Sequence, residues 1–157
     1  MFSWGLNSSQ LGRGYTDEEF VPHPKLVRNL SAFCVVQIAS GANHTLALCD
    51  DGRLFSWGHN SHGQCGLGDF NAKRDTPQPL TSLHGVPIKH IACGGNSSFA
   101  LTTSGALFGW GNNQSGQLGI GDQQNRFFPT QCKSLRYQRV VHVSCGETHT
   151  AVLTKVS

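Results

Sequence analysis

The chain has 157 residues, a formal net charge of +3, 13% charged residues, 38% hydrophobic residues and 19 glycines. That length suits one ordinary domain, and so little charge with so many apolar runs excludes disorder. No apolar run approaches the ~20 residues that cross a bilayer, and the 12 Lys and Arg are scattered instead of forming a stripe that would track phosphates.

The chain opens on an aromatic stretch, Phe2–Trp4, read as a strand, and passes through a loop at Gln10 to a Pro-marked strand near Pro24–Val27. Val35–Ala39 follows as a β-branched-rich strand ending at a Ser-Gly step. His44–Leu48 is the next strand, and Asp50-Asp51-Gly52 is a hairpin turn in which glycine takes the positive φ. Leu54–Trp57, the Gly-rich loop Gly63-Gln64-Cys65-Gly66 and a strand at Thr76–Leu80 complete a set of four. The order then returns as Ile88–Ala92, Ser98–Thr102, the Thr103-Ser104-Gly105 turn, Leu107–Trp110, the Gly116-Gln117-Leu118-Gly119 loop and Phe128–Gln131. The chain closes on Val140–Ser144 and His149–Leu153. Proline in the fourth strand of each set places that strand at a sheet edge, because it cannot donate to a central ladder.

This order is an internal repeat. Trp4, Trp57 and Trp110 recur 53 residues apart, each followed by a glycine (Gly5, Gly58, Gly111), within FSWGLNSSQLGRG, FSWGHNSHGQCGLGD and FGWGNNQSGQLGIGD. Gly41, Gly94 and Gly146 keep the same phase within ASGANHTLALCDDG, ACGGNSSFALTTSG and SCGETHTAVLT. His44 and His149 share one slot, Gln64 and Gln117 another. The units run over about 2–54, 55–107 and 108–157. Four antiparallel strands per ~50 residues with an aromatic-Gly mark is the signature of a β-propeller blade, so the fold class expected is all-β. The strands group as two, four, four and two, and the terminal pairs are complementary. They make three blade equivalents, fewer than the ~4–8 that close a propeller. The expectation is a fragment, truncated product or short isoform of a longer array, or an open arc completed by self-association.

Residues that carry chemistry elsewhere read here as structure. The six cysteines contain no C-x-x-C, so zinc spacing is missing; Cys93 and Cys145 fill a slot held by Ser40 and Cys65 fills a leucine slot, as small buried thiols would. A catalytic histidine stands once beside a unique partner, whereas His44 and His149 recur and Ser97 replaces them in the second unit. Their expected role is a hydrogen bond tying blades together. His59 and His62 lack a third metal ligand nearby. Asn7, Asn60 and Asn113, each three residues past its Trp, read as turn chemistry. The glycine loops lack the strand-to-helix setting and GK[ST] of a phosphate cradle. No catalytic residue, cofactor, metal or small-molecule substrate is expected. Met1–Gly5 shows neither a basic nor an apolar leader segment, so the expected location is the cytoplasm, with the nucleus as the alternative.

These motifs resemble the regulator-of-chromosome-condensation repeat, whose units carry a CG..HT.AL block, a DG turn, a.WG.N..GQLG block and a trailing Pro-containing strand. FSWGHNSHGQCGLG, ALFGWGNNQSGQLG and VSCGETHTAVLTK are most similar to the repeat domain of the HERC ubiquitin ligases, the smaller members especially. The resemblance implies a seven-bladed propeller and, in HERC proteins, a C-terminal HECT domain with the catalytic cysteine; no part of that domain is present in these residues. It implies protein partners: a ubiquitination substrate or regulator in the leading reading, a Ran-like small GTPase undergoing nucleotide exchange in the second. Chromatin binding is a third, and the weak basicity counts against nucleic acid. Partners are expected where the units differ, at Tyr15–Val21, Asp69–Asp75 and Asp122–Phe127. Phe20, Phe70, Lys73, Arg74, Arg126 and Phe127 are the candidate contacts there, since exposed aromatics beside cations suit a protein surface.

Overall fold

The computed structural model describes residues 1–156. Its strands are β1 (Phe2–Leu6), β2 (Phe20–Leu26), β3 (Val35–Ser40), β4 (His44–Cys49), β5 (Leu54–His59), β6 (Lys73–Pro79), β7 (Ile88–Cys93), β8 (Ser97–Thr102), β9 (Leu107–Gly111), β10 (Arg126–Gln131), β11 (Arg139–Cys145) and β12 (Thr150–Lys155). They form two complete four-stranded sheets, β3-β4-β5-β6 and β7-β8-β9-β10, flanked by the two-stranded sheets β1-β2 and β11-β12. Every pairing is antiparallel. The proline-bearing strands β6 and β10 lie at sheet edges, where a missing N–H leaves no gap in the ladder.

The sequence-based bounds differ most at these edge strands. The reading places Phe20, Lys73, Arg74, Arg126 and Phe127 in connecting loops, whereas β2, β6 and β10 begin at Phe20, Lys73 and Arg126. The connection folds back on the preceding strand and extends the ladder beyond the proline, pairing Gly5 with Val21, Gly58 with Arg74 and Gly111 with Arg126. At the other end of these strands, short 3-10 turns at Arg28–Leu30, Thr81–Leu83 and Lys133–Leu135 lead to the next sheet. Each tucks in a leucine; Leu30 and Leu83 are buried.

The core lies between sheets instead of within one. Leu46, Leu48, Leu54, Leu80 and Leu83 pack against Ile91, Ala100 and Trp110 of the next sheet. Phe99, Leu101, Leu107 and Leu118 pack likewise against Val140 and Val143, and Val27 and Leu30 against Ala47, Phe55 and Trp57. Burying one such side chain contributes about 1.5–3 kcal/mol, so each blade depends on its neighbours.

A polar latch repeats at the two junctions that bury a tryptophan. The Trp57 indole N–H donates to the Gln10 carbonyl at 2.8 Å, and the Thr45 hydroxyl donates to the same oxygen at 3.1 Å. At the next junction Trp110 (2.9 Å) and Ser98 (2.7 Å) donate to the Gln64 carbonyl. The indole lies against a glycine: at Gly66, with φ +70°, a Cβ would come within 2.6 Å of the Trp110 Nε1, and Gly12 seats Trp57 in the same way at 2.5 Å. On the inner side the Gln37 amide bridges β3 to β7, donating to the Lys89 carbonyl at 2.7 Å and accepting from the Ile91 N–H at 3.3 Å.

Candidate protein-docking face

The connections β5–β6 and β9–β10 share one construction. Asn60 is buried at the base of the first; its Oδ1 accepts from the Cys65 N–H at 3.0 Å and its Nδ2 donates to the Asn71 carbonyl at 2.9 Å. Asn113 repeats this in the second, accepting from the Leu118 N–H at 3.0 Å and donating to the Asp122 and Gln124 carbonyls, each at 3.0 Å. Asn7 donates to the Thr16 hydroxyl and the Glu18 carbonyl in the β1–β2 connection. One buried amide thus fixes a loop by its backbone, as a packed interior requires of a polar group.

Neighbouring loops are also fastened to each other. The Gly14 N–H donates to the Asp75 carbonyl at 2.8 Å, and the Gly68 N–H to the Phe127 carbonyl at 2.9 Å. The second link brings Phe70 onto Phe127, ring centroids 4.8 Å apart and planes 54° apart. Phe70 is 84% exposed, and Phe128 beside it is exposed as well. Of the candidate residues, then, Phe70 and Phe127 meet; Phe20 stands exposed on β2 and shares no aromatic ring contact among the described residues. The cations do not form a free patch. Arg74 pairs with Asp69, Arg126 with Asp122 at 2.6 Å and Lys73 with Asp75 at 3.5 Å. The Arg126 guanidinium holds the Asp122 carboxyl below its ordinary range.

His44 and His149 occupy equal slots in unequal surroundings. His44 is buried, and its Nε2 lies 2.8 Å from the Ser98 hydroxyl of the next sheet. Ser98 spends its one proton on the Gln64 carbonyl, so His44 is the donor and carries its proton on Nε2. Its Nδ1 is buried without a partner, and burial pushes the imidazole down to about 4. A Cβ on Gly41 would collide with this ring, and Gly146 stands in the same relation to His149. His149 itself is exposed. Gly94 approaches the Gly146 carbonyl. Gln64 is buried, its Nε2 donating to Asn96 Oδ1 at 3.2 Å; the Gln117 carbonyl accepts from the Thr150 hydroxyl at 2.8 Å.

The cysteines are free thiols. Burial pushes Cys65 and Cys145 up to about 11 and Cys93 higher still, so these stay protonated at neutral pH. Cys34 departs from the reading of the cysteines as small buried positions: it is exposed just before β3, where its carbonyl accepts from the Asp50 N–H at 2.9 Å. Among the described residues no group of three His, Cys, Asp or Glu could hold a metal ion. A cleft of about 580 Å³ opens on the opposite face, lined by Asp50, Asp51, Arg53, His84 and Pro87 among others; Asp51 and Arg53 are occupied with each other. The reading from sequence missed Gln37, the leucines of the 3-10 turns and the ring contact of His90 with His142 at 5.4 Å. Their signal was available: Gln37, His90 and His142 share a slot, and so do Leu30, Leu83 and Leu135.

An arc of antiparallel sheets, two of them complete with four strands and each latched to its neighbour through a buried tryptophan, is a segment of a β-propeller. The regulator of chromosome condensation (RCC1) repeat matches residues 1–48, 51–101 and 104–153, and the chain belongs to that repeat family. Human probable E3 ubiquitin-protein ligase HERC3 is 50% identical over 140 residues, covering 89% of this chain and 13% of that protein. Human probable E3 ubiquitin-protein ligase HERC4 is 49% identical over 138 residues, covering 88% of this chain and 13% of that protein. The chain therefore spans only about an eighth of the length of these relatives; it corresponds to their RCC1-like repeat region, and their HECT domain lies outside the aligned part. Among solved structures, Prp20p of Saccharomyces cerevisiae superposes with a TM-score of 0.85 at 26% identity, over 99% of this chain and 40% of that one.

Proposed function

We propose that this propeller segment recruits a protein substrate or regulator for a HERC-like ubiquitin ligase, with ubiquitin transfer taking place on a HECT domain outside these residues. The observation that supports this reading is the Phe70–Phe127 contact: Phe70 stands exposed on the β5–β6 connection, which the buried Asn60 amide fastens from within, and meets half-buried Phe127 at the start of β10 beside the Gly68–Phe127 hydrogen bond. Aromatic side chains on preordered loops make contact area at little entropic loss, and Arg74 and Arg126 beside them are ion-paired with Asp69 and Asp122. The test replaces Phe70 by Ala and Phe127 by Ser in the full-length ligase and quantifies captured and ubiquitylated partners by mass spectrometry. At least a tenfold loss of a defined partner set is expected; an unaltered set overturns the reading. A second reading, nucleotide exchange on a Ran-like GTPase, is supported by the likeness to Prp20p, whose structure is described with its binding to Gsp1p and histones. Accelerated nucleotide release from Ran by the purified chain would favour it over recruitment.

A further inference from the structure

Two successive junctions differ on the face opposite the Phe70–Phe127 contact. Where β11 follows the second complete sheet, Arg139 lies over the β8–β9 turn. A Cβ on Gly105 would stand 2.6 Å from Arg139 Cγ, Gly105 is buried, and the Val140 N–H donates to the Gly105 carbonyl at 3.2 Å. Where β7 follows the first complete sheet, Pro87 holds the slot of Arg139. The equivalent turn glycine, Gly52, is exposed, a Cβ there meets nothing within 4 Å, and no hydrogen bond joins it to Ile88 among the described residues. The cleft of about 580 Å³ opens at this point, lined by Val36, Val86 and Ile88 and bounded by the β4–β5 turn. Both sheets that form it have all four strands, so its openness belongs to the middle of the arc and not to either end.

The charge changes with the shape. Asp50 and Asp51 stand where the second turn has Thr103 and Ser104. Asp51 is paired with Arg53, whose guanidinium lies 4.5 Å from the centroid of the Phe33 ring. Asp50 makes no ion pair among the described residues. The field at this end of the cleft is negative: Asp50, and Asp51 more weakly, raise the exposed Cys34 thiol. One junction therefore has an arginine over its turn glycine, and the other has an open glycine, a carboxylate and no cation to meet it.

We propose that this cleft docks an extended segment of a protein partner through an arginine, whose aliphatic stem lies on Gly52 and whose guanidinium reaches Asp50. Arginine suits both halves of the cleft, because its stem covers apolar surface while its planar fork donates two hydrogen bonds to one carboxylate. An apolar residue beside that arginine packs on Val36 and Ile88, as Val140 beside Arg139 is buried at the second junction. The cleft is separate from the Phe70–Phe127 contact and does not rest on the recruitment reading, so the two stand or fall by different measurements.

The test uses as probe a fluorescein-labelled peptide with the sequence of residues 137–142, Tyr-Gln-Arg-Val-Val-His, blocked at both ends. Fluorescence polarisation with the full-length protein is expected to show saturable binding below about 1 mM. A second probe with Glu in place of Arg binds at least about tenfold more weakly. Asp50→Lys weakens the arginine probe by at least about fivefold and strengthens the glutamate probe. Asp50 is exposed on a turn, so this variant keeps its fold, which circular dichroism checks. Pro87→Arg gives the cleft an arginine of its own in the Arg139 slot and abolishes binding of the probe. A photoreactive benzoylphenylalanine after the probe's arginine cross-links within residues 36–53 or 84–88. No saturable binding, equal binding of the two probes, undiminished binding to Asp50→Lys or Pro87→Arg, or cross-links confined to other residues overturns the proposal.

Discussion

Trp57 and Trp4 are the same letter in the same repeat slot, and the structure treats them oppositely. Trp57 is sealed between sheets, its indole N–H on the Gln10 carbonyl and its ring on Gly12. Trp4 is more than half exposed because no preceding blade stands against β1 among the described residues. His44 and His149 repeat the contrast, one buried against Ser98, the other open. A repeat therefore specifies what each slot is able to bury, while the neighbour decides whether it does; this is the one-dimensional, nearest-neighbour logic of stacked repeats.

The largest effect that would sharpen this contrast is on the tryptophans. Trp57→Ala is expected to destabilise the chain by about 3–5 kcal/mol, and Trp4→Ala in a monomer by less than about 0.5 kcal/mol. Urea unfolding of both variants at low protein concentration reads the difference, and equal losses would break the comparison. Glycines come next. Gly66→Ala imposes left-handed backbone strain and drives a methyl into Trp110, together about 3 kcal/mol. Gly119→Ala meets an open seat and carries the backbone term alone, about 1–2 kcal/mol.

The histidines offer a pH test of comparable size. The unfolded His44 imidazole takes up its proton near pH 6.5, whereas the folded one resists until about 4. Protonation thus favours the unfolded chain, so the contribution is whole above pH 6.5 and is lost as pH falls toward 4, by up to about 3 kcal/mol. His44→Asn is expected to flatten that part of the stability profile; a variant whose stability still falls between pH 6.5 and 4 as steeply as the unaltered chain's would contradict the burial of His44. Smallest in energy is thiol access. Exposed Cys34 is expected to alkylate first because it is accessible, with its reaction shifted to higher pH because Asp50 raises its thiol, while Cys65 and Cys93 react only on unfolding. Peptide mapping after brief alkylation reads the order.

Much of this fold was legible in the residues. Trp-Gly pairs, the turn glycines Gly52 and Gly105 and the edge prolines each act through local backbone chemistry, so period and strand order followed from them. The start of β6 was not legible, because Lys73 and Arg74 join the ladder only through pairing with His59 and Gly58 across a loop. Nor was the Phe70–Phe127 contact, whose residues lie in different repeats and meet through the Gly68–Phe127 hydrogen bond. The cations beside them are ion-paired, since Asp69 and Asp122 recur at the loop positions that reach Arg74 and Arg126.

The sequence by itself determined the blade, its period and the residues offered at each junction, because these depend on spacing, turn chemistry and the alternation of apolar side chains. Tertiary structure alone decided which of the recurring residues are sealed and which stand open, because burial belongs to the contact between sheets and not to either sheet alone.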